Sequence, residues 1–220
     1  MNDSKKGFVH NVRQSVLTTL VLLLICGFLF PVVLTGLSAV MFPHQAGGSL
    51  LTTADGTAVG AQNVGQDFTQ PYFMKGRPSA YQYNTYYEDE EGNQFYNDGT
   101  EFAGLPSGSN NYGPSNPALA ERVQADIEEF LAANPGVKRE DIPTDLLTAS
   151  GSGLDPHISP ASAEIQIPAI AEASGLSEEA LRDIVAAHTS GKVLGVFGEE
   201  KVNVLEVNLD IAQAMGLIEG

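Results

Sequence analysis

The sequence predicts a mixed α/β (α+β) domain held outside the membrane by one N-terminal transmembrane helix. Three observations carry this reading: an apolar run long enough to cross a bilayer, basic residues close to it on one side only, and alternating helix and strand patterns from residue 117 onward.

From Gln14 to Ala54 there is no charged residue, and Val16 to Met41 within that gap is almost wholly apolar or small. Its 26 positions make a helix of about 39 Å against a hydrocarbon core of about 30 Å, so it spans with room for tilt. Pro31 removes one backbone donor and is expected to kink the helix. A cleaved signal peptide is the competing reading. Against it, the apolar stretch runs on for ten residues past Pro31, and cleavage after Ala39 would place bulky Leu37 where a small residue is needed. Lys5, Lys6 and Arg13 precede the span, and no basic residue follows it until Lys75, so the N-terminus is expected to be cytoplasmic. The expected organisation is a cytoplasmic stub at 1–14, a transmembrane helix at 15–41 and an extracytoplasmic domain at 42–220. The expectation is a single-pass protein of the cell membrane, in contact with membrane lipid.

Glycines at 47, 48, 60, 65 and 76, with short apolar pieces between them, predict brief strands and turns over 44–80. The stretch from 81 to 114 is rich in Tyr, Asn, Gly and acidic groups, lacks helical periodicity, and reads as a long surface loop. Its acidic run Glu88 to Glu91 reads as a solvated face. Next, Ser115 or Asn116 caps a helix with Pro117 at its first position. Leu119, Val123, Ile127, Phe130 and Leu131 form one face of it, and it should end near Asn134 to Gly136. Leu146 to His157 is an apolar piece entering a glycine-bearing loop, and Ser159 with Pro160 starts another helix. A further helix starts at Ser177, with Leu181, Ile184, Val185 and His188 on one face, and stops at Gly191. Val193 to Phe197 and Val202 to Leu209 read as strands, and Asp210 as the cap of a last short helix.

Composition narrows the chemistry. Eleven basic against 27 acidic residues leave a net charge of −16, which excludes a sequence-independent grip on nucleic acid. The charge is uneven: residues 1–14 sum to +2, and the rest of the chain holds 8 basic against 26 acidic groups, a sum of −18. The single cysteine, Cys26, excludes an internal disulfide and any multi-cysteine metal site. The only Gly-Lys pair, Gly191-Lys192, is followed by Val193, so no strand-to-helix phosphate loop is present. Ser150-Gly151-Ser152-Gly153 could curl its amides around an anion, or simply make a tight turn. Asp155 and His157 lie two apart and suggest, at most, a membrane-anchored extracytoplasmic hydrolase; a lone Asp-Pro-His is more often a turn whose side chains bond the local backbone. His188 reads as a packed histidine at a helix end. No catalytic or metal-ligating set stands out beyond these.

Several blocks occur in order behind the span: Gly65-Gln66-Asp67-Phe68-Thr69, Tyr72-Phe73, Arg77-Pro78-Ser79-Ala80, Gly113-Pro114-Ser115-Asn116-Pro117, Thr148 through Ser159, and Val202-Asn203-Val204-Leu205. Over nearly the full chain this pattern resembles the C subunit of the Kdp potassium-transporting P-type ATPase. Two departures are the acidic Tyr-rich stretch from about 83 to 105, which looks like an insertion, and Tyr112 in place of an aliphatic residue. The resemblance implies a non-catalytic accessory subunit of a high-affinity, ATP-driven potassium import complex. Its partners would be a channel-like potassium-translocating subunit, a P-type ATPase subunit that hydrolyses the ATP, and a small single-span subunit. It also implies a catalytic chaperone that raises the ATP affinity of the hydrolysing subunit. No tightly bound cofactor is expected; ATP would be met in a transient complex, with Ser150, Gly151, Ser152 and Gly153 as the candidate nucleotide-binding segment. A domain outside the membrane could influence ATP only through its span.

Overall fold

The computed structural model describes residues 2–54, 56–102 and 104–218, with side chains from residue 7 onward. It divides into two compact units, the residues up to Ser49 and those from Leu50 onward. The boundary lies beyond the end of the span because a short helix and turn belong with it: Phe42 N–H donates to Ser38 O at 2.8 Å and Ser49 N–H to His44 O at 2.9 Å.

The first unit is α1 (Asn2–Leu24), a π-helical turn (Ile25–Leu29), α2 (Phe30–Met41) and α3 (Pro43–Ala46). Gly7–Met41 is a 35-residue stretch long and apolar enough to cross a membrane, and its apolar side chains are exposed along its length. The expected disturbance at Pro31 takes the form of the π turn just before it. Proline cannot donate to the carbonyl four residues back, and its ring crowds that carbonyl. The wider turn, closed by Phe30 N–H to Ile25 O, opens the space.

The second unit mixes helices with small antiparallel sheets. β1 (Leu50–Thr52) and β2 (Ala58–Ala61) pair with each other, as the glycine-punctuated sequence leads one to expect. Inside the region read as a loop, β3 (Tyr86–Glu88) and β4 (Gln94–Tyr96) form a hairpin, Tyr86 opposite Tyr96 and Tyr87 opposite Phe95. Asp89 makes its turn by accepting the amides of Glu91 and Asn93. Cross-strand aromatic pairs supply a strand signal that helical periodicity does not register. α4 (Pro117–Ala133) begins as expected, with the Asn116 side chain accepting Ala118 N–H. β5 (His157–Ile158) is followed by α5 (Pro160–Glu164), capped by Ser159, then by α6 (Ile167–Ser174) and α7 (Glu178–Ala187), the last capped by Ser177. β6 (Thr189–Ser190) ends α7 earlier than Gly191.

Two strand expectations are corrected. Val193 to Phe197 is a tight hairpin tip closed by a single bridge, not a strand. Of Val202 to Leu209, only β7 (Lys201–Asn203) is extended; α8 (Val204–Ala214) follows at once. Asn203 is the reason, since its carboxamide oxygen accepts Glu206 N–H and starts the helix, leaving Asp210 inside it rather than at its cap. β7 is central in a three-stranded sheet of order β5-β7-β6, with Val202 fully buried between Ile158 and Thr189.

The core gathers Ile127 of α4, Ile158, Ile167 and Ile170 of α6, Leu181 of α7, and Val204, Val207 and Ile211 of α8. The segment at Met74 and Lys75 has no strand partner, so buried carboxamides complete its backbone bonds. Asn208 accepts Met74 N–H at 2.7 Å and donates to Met74 O at 2.9 Å. Gln166 accepts Lys75 N–H at 2.9 Å and donates to Lys75 O at 3.2 Å.

Candidate functional site

Three of the blocks on which the family resemblance rests, those beginning at Gly65, Arg77 and Thr148, meet in space around Arg77. Its guanidinium donates to Thr148 O from Nε at 3.3 Å and from Nη2 at 3.2 Å, and Nη1 lies 3.3 Å from Asp155 Oδ2. Asp155 Oδ1 in turn accepts His157 N–H at 3.1 Å and lies 3.3 Å from His157 Nδ1. The His157 ring, acting against burial, together with the His157 amide and the Arg77 charge, holds the Asp155 carboxyl down at about 2. Asp155 and His157 are thus joined in a turn, and Asp155 has both oxygens engaged. Among the described residues, no group of three His, Cys, Asp or Glu side chains is placed to hold a metal ion.

Tyr83 fixes the second wall. Its hydroxyl donates to Arg77 O at 2.7 Å, and its ring lies where a Cβ on Gly65 would come within 2.4 Å. Gln82, Tyr83 and Asn84 all have positive φ, costing roughly 1 kcal/mol or more per residue. That turn is held by Ser79, whose Oγ accepts the Tyr81 and Tyr83 amides and donates to Gly153 O at 2.6 Å. Burial foremost, then the Asp155 carboxylate, raises the Tyr83 phenol well above its ordinary range, so it stays protonated as a donor.

The predicted anion loop lies beside this assembly. Ser150 Oγ accepts Ser152 N–H at 3.4 Å and Ser152 Oγ accepts Leu154 N–H at 3.2 Å. Ser152 O accepts from Ser107 Oγ at 2.7 Å and from Gly108 N–H at 2.8 Å. Gly153 is buried with φ of 65°, and a Cβ there would meet Gly108 O at 2.4 Å. Gly151 and Ser152 face solvent, so a ligand reaching this loop would meet its outer half.

Two charged places escape sequence reasoning. A cavity of about 210 Å³ is lined by Asp67, Lys75, Arg77, Tyr83 and Glu129. Burial draws the Lys75 ammonium below its usual range, against Asp67 and Glu129, and its Nζ donates to Phe68 O. The other place is His188, the expected packed histidine at the end of α7. Nε2 lies 2.7 Å from Asp210 Oδ2, and Nδ1 3.7 Å from Glu206 Oε2, tying α7 to α8. Reading Val202 to Leu209 as a strand hid this, since four residues lie about 13 Å apart along a strand but only one turn apart on a helix, close enough for Glu206 and Asp210 to meet one ring.

Comparison with known proteins covers nearly the whole chain. The family model KdpC, described as K+-transporting ATPase, c chain, matches residues 12–213. A Clostridium kluyveri protein named potassium-transporting ATPase KdpC subunit is 56% identical over 210 residues, 96% of this chain and 97% of the relative. The protein of the same name from Clostridioides difficile is 54% identical over 215 residues, 96% of this chain and all of the relative. That of Caldanaerobacter subterraneus subsp. tengcongensis is 42% identical over 204 residues, 93% of this chain and 95% of the relative.

Proposed function

Because the chain belongs to the KdpC family, the c chain of K+-transporting ATPases, it is an accessory subunit of potassium import, and we propose that it is needed for assembly and acts as a catalytic chaperone. In this reading it joins a channel-like potassium-translocating subunit, a P-type ATPase subunit and a small single-span subunit, and raises the ATP affinity of the hydrolysing one. The observation that carries the proposal is similarity along nearly the full length, span and domain together. Physical chemistry supports an accessory role: a single apolar helix cannot shield an ion pathway, which needs polar groups enclosed by several helices.

The basic residues before the span favour a cytoplasmic N-terminus and an extracytoplasmic 42–220. ATP and this domain then lie on opposite sides, and the affinity effect travels through helix contacts of the span. If nucleotide touches the chain, Ser150 to Gly153 is the segment we propose, through the amides and hydroxyls of its exposed half. The test is the dissociation constant of ATP for the separate P-type ATPase subunit, measured with and without this chain added. Omission is expected to raise it roughly tenfold, within the range of ordinary coupling energies; an unchanged constant would end the chaperone reading. Gly151→Pro separates the routes, since it reproduces the rise only if the loop contacts nucleotide.

A further inference from the structure

The most exposed apolar feature of the second unit is the tip joining β6 to β7. Val193 is 67%, Leu194 85%, Val196 74% and Phe197 65% exposed. A solvated turn is normally polar, so four large apolar side chains at one tip mark a contact surface. The tip is also shaped. Val193 N–H donates to Phe197 O at 2.8 Å and Phe197 N–H returns to Val193 O at 3.0 Å, while Gly195 N–H reaches Lys192 O at 3.0 Å. Leu194 is held at φ of 55°, a left-handed conformation costly for a branched side chain.

We propose that the tip Val193–Phe197 is the anchor by which this domain docks into an uncharged apolar pocket on a partner subunit of the same potassium-transporting complex. Charge selects the occupant. Residues 193–198 carry no charge, and the flanking Lys192, Glu199, Glu200 and Lys201 sum to zero, on a chain whose remainder beyond residue 14 sums to −18. A surface bearing anionic lipid repels such a domain, and a second copy repels it in the same way. A neutral pocket does not. Shape agrees: a pre-formed tip saves ordering cost only where the receiving surface has a fixed form. So small a tip falls short of the roughly 800 Å² per partner of a stand-alone interface, so it acts as one anchor in an assembly that other contacts also hold.

The proposal rests on the subunit reading, and the test separates the two. Phe197→Cys and, as a control, the exposed Glu140→Cys are each placed in a Cys26→Ser background. Labelling by a membrane-impermeant maleimide is followed on this chain's own gel band. The chain alone, in nanodiscs of phosphatidylcholine and phosphatidylglycerol, is expected to label equally fast at both sites. In the assembled complex, labelling at 197 is expected to slow at least roughly tenfold, as for an anchor buried in a pocket, with 140 unchanged. Slow labelling at 197 in the chain alone would mean lipid or a second copy covers the tip, and equal rates in chain and complex would mean nothing does; either overturns the proposal. Failure of the wild-type chain to co-purify with any partner would overturn the subunit reading itself, and this inference with it.

Discussion

At Asp155, three donors meet one carboxylate: the His157 ring, the His157 amide and the Arg77 guanidinium. Together they lower its folded pKa to about 2, from the ~3.9 of an unfolded chain. A depressed carboxylate pKa stabilises the fold above the unfolded value, and that stability is lost as pH falls through the folded one. Asp155→Asn is therefore expected to cost about 2 kcal/mol near pH 7. The difference from wild type should shrink between about pH 4 and 2 and be gone below. Thermal unfolding followed by circular dichroism across that range checks it; a cost independent of pH would mean that packing, not charge, makes the contribution. This residue was singled out in the sequence together with His157, whereas Arg77, 78 positions away, stood out only as part of the block Arg77-Pro78-Ser79-Ala80 and not as its partner. Sequence separation hides a contact made by folding one loop onto another.

Among the elements, the helices were the most legible, because an N-cap declares itself through a side chain next to a periodic apolar face. Asn116, Ser159 and Ser177 all do so. α8 was missed for the opposite reason. Val202 to Leu209 is rich in Val and Leu and so reads as a strand, while the two asparagines within it are the helix cap and a buried clamp. Asn208 is 1% exposed and satisfies both backbone groups of Met74, so Asn208→Leu fills similar space while stranding an amide and a carbonyl in the core. The expected cost is about 3 kcal/mol, the usual penalty for buried polar groups left unpaired. Chemical denaturation should record it as a lower midpoint; a midpoint unchanged from wild type would show that water reaches Met74. The hairpin β3–β4 was hidden by the acidic, asparagine-rich composition around its aromatic residues; the Tyr87 and Phe95 rings pair across it with centroids 5.8 Å apart, and Tyr86 packs on Phe102, beyond β4, at 4.6 Å.

For the whole molecule, the asymmetry of charge is the property with the widest consequence. Lys5, Lys6 and Arg13 just before an uncharged span, with no basic residue beyond it until Lys75, favour one orientation over its inverse. Glu140→Cys in the Cys26→Ser background is accordingly expected to react with an impermeant maleimide added to sealed cells, and reaction only after lysis would invert the topology and bring the domain to the side of ATP. The subunit role stands on the full-length family match, whichever way that result falls. It is tested most directly by potassium-stimulated ATP hydrolysis in membranes that make the other subunits with and without this chain. The account predicts that the activity disappears, and the large subunits no longer co-purify, when the chain is missing, and that both return when it is supplied. Full potassium-stimulated activity in its absence would contradict it.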